Sequence, residues 1–217
     1  MVPSRRVVDI VHSSPVVAAG LHRALHESGV RVGLVLYSWA DLTVRVDSIG
    51  TCVVVDAYLD DHVPLALKIR ALAGLPTTAI VLGARRQPTL VQRAYAEGAA
   101  AWLTPSDGLT DCASQIGAAA STRASAADRR LDEEDVTLTD RELQVMSLYA
   151  SRRSLDAAAL ARHLGISETT VKSHLKTGRA KYRRAGRDVG NRQRLTDALV
   201  DDGYLVSAET WRAEHRW

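Results

Sequence analysis

The stretch Leu160-Ala161-Arg162-His163-Leu164-Gly165-Ile166-Ser167-Glu168-Thr169-Thr170-Val171-Lys172-Ser173-His174-Leu175-Lys176 decides the architecture of the C-terminal part of this chain. A helix over about Asp156 to Leu164 is broken by Gly165, and Ser167 followed by the acid Glu168 opens a second helix that runs to about Arg184. Two helices around a short glycine turn predict a helix-turn-helix. At about 100° per residue, Val171, Leu175, Gly178 and Tyr182 fall within an arc of roughly 60° on the second helix, while Lys172, Lys176, Arg179 and Arg183 share another arc centred about 100° away. One stripe suits a core and the other is basic. Thr169 and Ser173 extend the basic side with short hydroxyl donors. Such an array fits a major groove, where Lys or Arg reads guanine edges and hydroxyls reach bases or phosphates. A solvated charged face is the plain alternative, and the turn-linked helix in front of it argues for double-stranded DNA instead.

Working outward, Thr139-Asp140-Arg141-Glu142 is a capping box that starts a helix at Asp140, ahead of Leu143, Met146 and Ala150. A fourth helix over about Arg192 to Asp202 ends at Gly203, and the tail Ser207 to Trp217 has room for one more short turn. Charge follows this division. Residues 1–120 hold 10 basic and 10 acidic side chains, 121–136 hold 3 and 5, and 137–217 hold 15 and 10. Between 172 and 194 there are nine Lys or Arg against the single acid Asp188, an electrostatic footprint for a polyanion.

Upstream, apolar β-branched runs alternate with helix-period segments. Strands are expected at Val7 to Val11, Val30 to Leu36, Cys52 to Val55, Thr78 to Leu82 and Ala101 to Leu103. Helices are expected at Val16 to Ser28, Trp39 to Val46, Pro64 to Ala73, Thr89 to Glu97 and Leu109 to Ala120. Strands that are nearly all apolar suit a parallel sheet covered on both faces, so the fold class is an α/β doubly wound five-stranded parallel sheet followed by an all-α helix-turn-helix. The expected domains are 1–120, a linker over 121–136 that lacks an apolar stripe, 137–205, and a tail over 206–217.

No run reaches the roughly 18 apolar residues of a membrane span, and Asp9 and His12 interrupt the only apolar stretch near the start, so a cytoplasmic location is expected. Cys52 and Cys112 read as buried thiols. His22 and His26 sit at i and i+4 on the first helix without an obvious third ligand, so no metal is assigned. Trp39 and Trp102 read as core or pocket-edge residues rather than cofactor platforms. With no nucleophile elbow, phosphate-binding glycine loop or zinc spacing, neither an enzyme nor a cofactor is expected.

The segments Leu138-Thr139-Asp140-Arg141-Glu142, Val145-Met146, Leu148 to Ala150, Leu160-Ala161 and Ile166 to Leu175 resemble the LuxR/NarL-type helix-turn-helix. The βα series before them is similar to the receiver domain of response regulators. The resemblance implies that Lys172, Ser173 and Lys176 face bases and that Thr169 and Thr170 lie near phosphates. It also implies that Leu195 and Leu199 on the fourth helix pair two copies, as a homodimer or as a heterodimer with a paralogue. Against that pattern, about two residues are extra between Ala150 and Leu160, and Arg152 replaces a glycine. Gly178 replaces an aliphatic core residue, which predicts a loosened or kinked helix.

In the receiver-like part, Asp56 stands at the phosphoacceptor position. His12 and Ser13 replace the acidic pair after the first strand, Gly83 replaces a Thr or Ser, and Pro105 replaces a Lys. Mg²⁺-dependent transfer to Asp56 is therefore not expected, because the carboxylates that hold the ion are missing. The expected roles of this part are dimerisation or the binding of a small-molecule or protein ligand. The competing reading is a protein-interaction module with incidental DNA affinity.

Overall fold

The computed structural model describes residues 7–59, 61, 63–84, 87–120, 136–151 and 155–214. The expected linker lies almost wholly outside them, as does Arg152.

The first half is β1 (Val7–Val11), α1 (Pro15–Glu27), β2 (Arg31–Leu36), α2 (Trp39–Thr43), β3 (Cys52–Asp56), α3 (Leu65–Ala73), β4 (Thr78–Leu82), α4 (Pro88–Ala96), β5 (Ala101–Leu103) and α5 (Leu109–Ala119). The sheet order is β2-β1-β3-β4-β5, with every pair parallel. The pleat sorts β3 between two cores. Cys52 and Val54 face α1 and α5 with Leu21, Leu25 and Ile116. Val53 and Val55 face α3 and α4 with Ile69, Leu72, Leu90 and Trp102. Trp39 also lies in the second core. The helix expected over Trp39 to Val46 stops at Thr43, and a separate 3₁₀ turn covers Val46–Ser48.

Asp9 is a charged residue inside β1 that is fully buried. Its Oδ1 accepts the amide of Leu34 at 2.8 Å and its Oδ2 that of Gly50 at 2.6 Å. The β1–β2 register shifts between Val8 and Ile10, where this side chain enters the ladder. A Cβ on Gly33 would lie 2.4 Å from Asp9 Oδ1, so glycine is required opposite it.

The second half is α6 (Asp140–Ala150), α7 (Ala157–Leu164), α8 (Glu168–Arg184), α9 (Arg192–Asp201) and α10 (Ala208–Glu214). Thr139 and Glu142 close the capping box on α6: the Glu142 amide donates to Thr139 Oγ1 at 3.3 Å and the Thr139 amide to Glu142 Oε2 at 2.9 Å. Gly165 turns the chain at φ 63° between α7 and α8, and Ser167 caps α8. Leu143, Met146, Leu160, Val171, Leu175, Tyr182, Leu195 and Leu199 form one core among these helices.

The two halves are docked through polar side chains of α3 and α4. Arg70 binds Glu97 with two hydrogen bonds of 2.8 Å, and from the same side chain reaches Leu138 O and Asp140. The Gln87 amide donates to Leu205 O at 2.8 Å and Val200 O at 3.1 Å, and accepts the Ser207 amide at 2.9 Å. Arg93 donates to Asp202 O at 2.9 Å, with its guanidinium 4.4 Å above the Tyr204 ring.

Candidate nucleic-acid interface

On α8 the apolar stripe is inward, with Val171 and Tyr182 fully buried and Leu175 7% exposed. Thr169, Lys172, Ser173, Lys176 and Arg183 are exposed, while Thr170 and Arg179 are half-buried. Thr170 is turned into the helix cap, its hydroxyl 2.7 Å from that of Ser167. Lys172 meets Glu168 at 2.6 Å one turn back. An exposed i,i+4 pair of this kind is worth only ~0.3–0.5 kcal/mol, which leaves the ammonium available. Among the described residues neither Lys176 nor Arg183 has an ion-pair partner. Lys172, Leu175, Lys176, Arg179, Arg183, Val189 and Gly190 line a groove of about 350 Å³ along this face.

Two other cations, Lys181 of α8 and Arg187 of the loop after it, hold the helix in place. Lys181 points away from the groove and donates to Glu142 Oε2 at 2.7 Å and Thr137 O at 3.0 Å. Burial works to raise the Glu142 carboxyl, but the hydrogen bonds from Lys181 and Thr139 outweigh it and carry it down to about 2. Tyr182 donates to Asp202 Oδ2 at 2.7 Å, and Arg187 meets the other oxygen of the same carboxylate.

Two expectations are corrected here. The recognition-type helix does not kink at Gly178: α8 is continuous, and Met146 of α6 fills the space, with its Sδ 2.0 Å from where a Cβ on Gly178 would stand. Leu195 and Leu199 do not face a partner; both are fully buried in the core of their own domain. The exposed side of α9 carries Gln193, Arg194, Asp197 and Asp201 instead.

At the other candidate position, Asp56 ends β3 and is 4% exposed. Ser13 donates to its Oδ2 from the hydroxyl at 2.5 Å and from the amide at 3.2 Å, and the Tyr58 amide donates to Oδ1 at 2.8 Å. His12 Nδ1 lies 3.5 Å from Asp56 Oδ2 and accepts the Ser14 amide at 3.0 Å. Burial pushes the imidazole below its ordinary range despite the nearby Asp56, so the neutral ring is favoured. The Tyr58 ring closes the far side, its hydroxyl donating to Ala84 O at 2.5 Å. A Cβ on Gly83 would stand 2.6 Å from Ala57 Cβ and 3.1 Å from the Tyr58 ring. Lys68, 2% exposed, pairs with Asp61 at 2.8 Å. His22 and His26 are both exposed, and the described residues contain no group of three or more His, Cys, Asp or Glu placed to hold a metal. No helix among the described residues is long and apolar enough to cross a membrane.

The chain thus joins a five-stranded parallel α/β domain to a helix-turn-helix. Residues 136–187 match the family of bacterial regulatory proteins of the luxR type. No curated protein matches the sequence. Among solved structures, the two-component response regulator RcsB in its DNA complex is similar at TM-score 0.58 and 20% identity, over 90% of this chain and 99% of that one. RcsB of Salmonella typhimurium in a study of conformational dynamism is similar at TM-score 0.58 and 18% identity, over 92% of this chain and 98% of that one. RcsB as two dimers bound to two parallel DNAs is similar at TM-score 0.50 and 19% identity, over 91% and 98%. At these identities the likeness is one of fold.

The docking residues Gln87 and Arg93 were not legible as such in the sequence. Their one signal is a polar side chain at the start and on the buried side of an amphipathic helix, which reads equally well as a solvated position.

Proposed function

We propose that the chain is a sequence-specific DNA-binding transcription regulator of the cytoplasm. Its receiver-like domain serves dimerisation or the binding of a small-molecule or protein ligand, without Mg²⁺-dependent phosphorylation. The observation that carries DNA binding is the α8 face itself: Thr169, Lys172, Ser173, Lys176 and Arg183 lie exposed on one side of a helix whose other side is anchored in the core. Lys172, Ser173 and Lys176 are assigned to base edges, and Thr169, Thr170, Arg179 and Arg183 to the backbone. RcsB, with the same fold, binds DNA and does so as dimers, which supports DNA and a second protomer as partners. With Leu195 and Leu199 enclosed, the second protomer is not met through those two side chains.

Lys172→Ala and Lys176→Ala are each expected to weaken binding to a preferred duplex by ~1–3 kcal/mol and to flatten the preference at one base pair. Anisotropy titration against duplexes enriched from a random library checks this. An unchanged affinity in the double variant rules out the face. Binding without sequence preference at any salt favours the second reading, a protein-interaction module with incidental DNA affinity.

The residues around Asp56 do not fit Mg²⁺. Both carboxylate oxygens are engaged by Ser13 and the Tyr58 amide, His12 Nδ1 accepts from a backbone amide, and Asp9 is held by the amides of Leu34 and Gly50. Mg²⁺ seeks several oxygen ligands in octahedral array, and both oxygens of Asp56 are already committed to other donors. Incubation with acetyl phosphate and Mg²⁺ is expected to add no phosphoryl group to the intact mass. A gain that disappears in Asp56→Asn would reverse the assignment.

A further inference from the structure

Tyr149, half-buried near the end of α6, carries two guanidinium groups on its ring. Arg192, from the first turn of α9, places Cζ 4.1 Å from the ring centroid, and Arg179, from α8, places Cζ at 5.4 Å. Three helices thus bring two like charges to one aromatic side chain. Each cation–π contact is favourable alone, but the second cation also meets the repulsion of the first. Among the described residues no carboxylate stands within ion-pair distance of either arginine. Arg192 donates from Nη2 to Leu155 O at 2.9 Å, whereas Nε of Arg179 is enclosed and has no hydrogen-bond partner. Burial works to raise the Tyr149 hydroxyl, yet the hydrogen bonds and charge of the two arginines hold it below the ordinary phenol range. A concentration of unneutralised positive charge is what an incoming anion would complete. Arg179 joins this spot to the α8 groove, where it stands beside Lys176, Arg183, Val189 and Gly190.

We infer that Arg179, Arg192 and Tyr149 form a seat for one backbone phosphate of bound double-stranded DNA, at the edge of the α8 groove and outside the base-reading positions. The inference rests on the DNA-binding reading above and adds Tyr149 and Arg192, from outside the recognition helix, to the interface. A guanidinium fork matches two phosphate oxygens, and the bound phosphate removes the repulsion between the two arginines.

The test uses the full chain and a labelled duplex selected by the unaltered protein, titrated across a salt series. Arg192→Gln, which keeps an amide donor and loses the charge, is expected to weaken binding about 5- to 20-fold and to lower the slope of log K against log salt by about 1. Arg179→Gln with Arg192→Gln is expected to lower it no further than about 1, because both side chains hold the same single phosphate. The ranking of duplexes stays as it is, because phosphates carry no base sequence. Arg192→Lys restores the slope without the full affinity, a split that simple loss of folding does not produce. Thermal melting of each variant shows that the domain is folded at the assay temperature. If Arg192→Gln keeps the original slope and affinity while Lys176→Ala loses binding, DNA recognition stands and the seat does not. If inorganic phosphate raises the melting temperature through Arg192 while the salt slope on DNA is unaffected, the site takes a free anion and the inference is overturned. If the unaltered chain binds no duplex at any salt, both readings fall.

Discussion

Replacing Gly178 by leucine is expected to destabilise the C-terminal domain by about 2–4 kcal/mol and to abolish DNA binding through loss of the α8 scaffold. A leucine in mid-helix would gain up to ~1 kcal/mol in helix propensity over glycine. Packing opposes it more strongly. The first carbon of any side chain at 178 would stand 2.0 Å from Met146 Sδ, and Met146 is itself fully buried, so its thioether has to shift within a packed core. Chemical denaturation followed by circular dichroism measures the loss. The second half of the experiment isolates the cause. Met146→Ala combined with Gly178→Leu returns most of the lost stability, since the two changes move volume from one helix to the other and keep the total similar. A single Gly178→Leu variant as stable as the parent would show that Met146 does not occupy this space.

The second large effect is expected at the junction between the two halves. Gly203 has φ 72°, where an alanine costs about 1–2 kcal/mol, and its Cβ would stand 2.1 Å from Thr89 O and 2.8 Å from Arg93 Cβ. The obstacle at Thr89 is backbone, so no side-chain rotation relieves it. Gly203→Ala is therefore expected to separate α4 from the 200–207 segment, breaking the five hydrogen bonds that Gln87, Thr89 and Arg93 make to Val200, Asp202, Leu205 and Ser207. At ~1 kcal/mol net each, their loss is enough to undock the domains while each keeps its own core. Small-angle scattering should report a larger radius of gyration, and the Ser207 amide, which donates to Gln87, should exchange faster. An unaltered scattering profile would mean that this contact does not hold the halves together. The docking leaves Lys172, Ser173, Lys176 and Arg183 exposed, so the α8 face is open to solvent with the two halves in contact.

Much of this protein is written locally. The five parallel strands are legible because a strand buried on both faces has to be apolar at nearly every position, which Cys52 to Val55 and Thr78 to Leu82 are. The starts of α6 and α8 are legible because Thr139 with Glu142, and Ser167, satisfy backbone donors within three residues of themselves. The two faces of α8 follow from helix geometry alone, and burial of Val171, Leu175 and Tyr182 leaves the lysines outside. The receiver-like departures at His12, Ser13 and Gly83 are visible as residue identities, whereas the closing of the site by Tyr58 depends on its hydroxyl reaching Ala84 across 26 residues.

What periodicity does not contain is the identity of the surface that an apolar stripe meets. Leu195 and Leu199 form a stripe that suits a second copy or a neighbouring helix equally well, and only the packing of α9 on α6 encloses them in their own domain. The same holds for Gly178, read alone as a weak point in a helix until Met146, 32 residues earlier in the chain, is seen to fill its place. Arg70, Gln87 and Arg93 look like ordinary surface residues of α3 and α4, and become the dock because segments more than a hundred residues downstream of Gln87 and Arg93 fold back onto them. Short-range hydrogen bonding and side-chain period set the elements; long-range contacts, with no periodic trace along the chain, set which faces are shared and which remain free for a ligand.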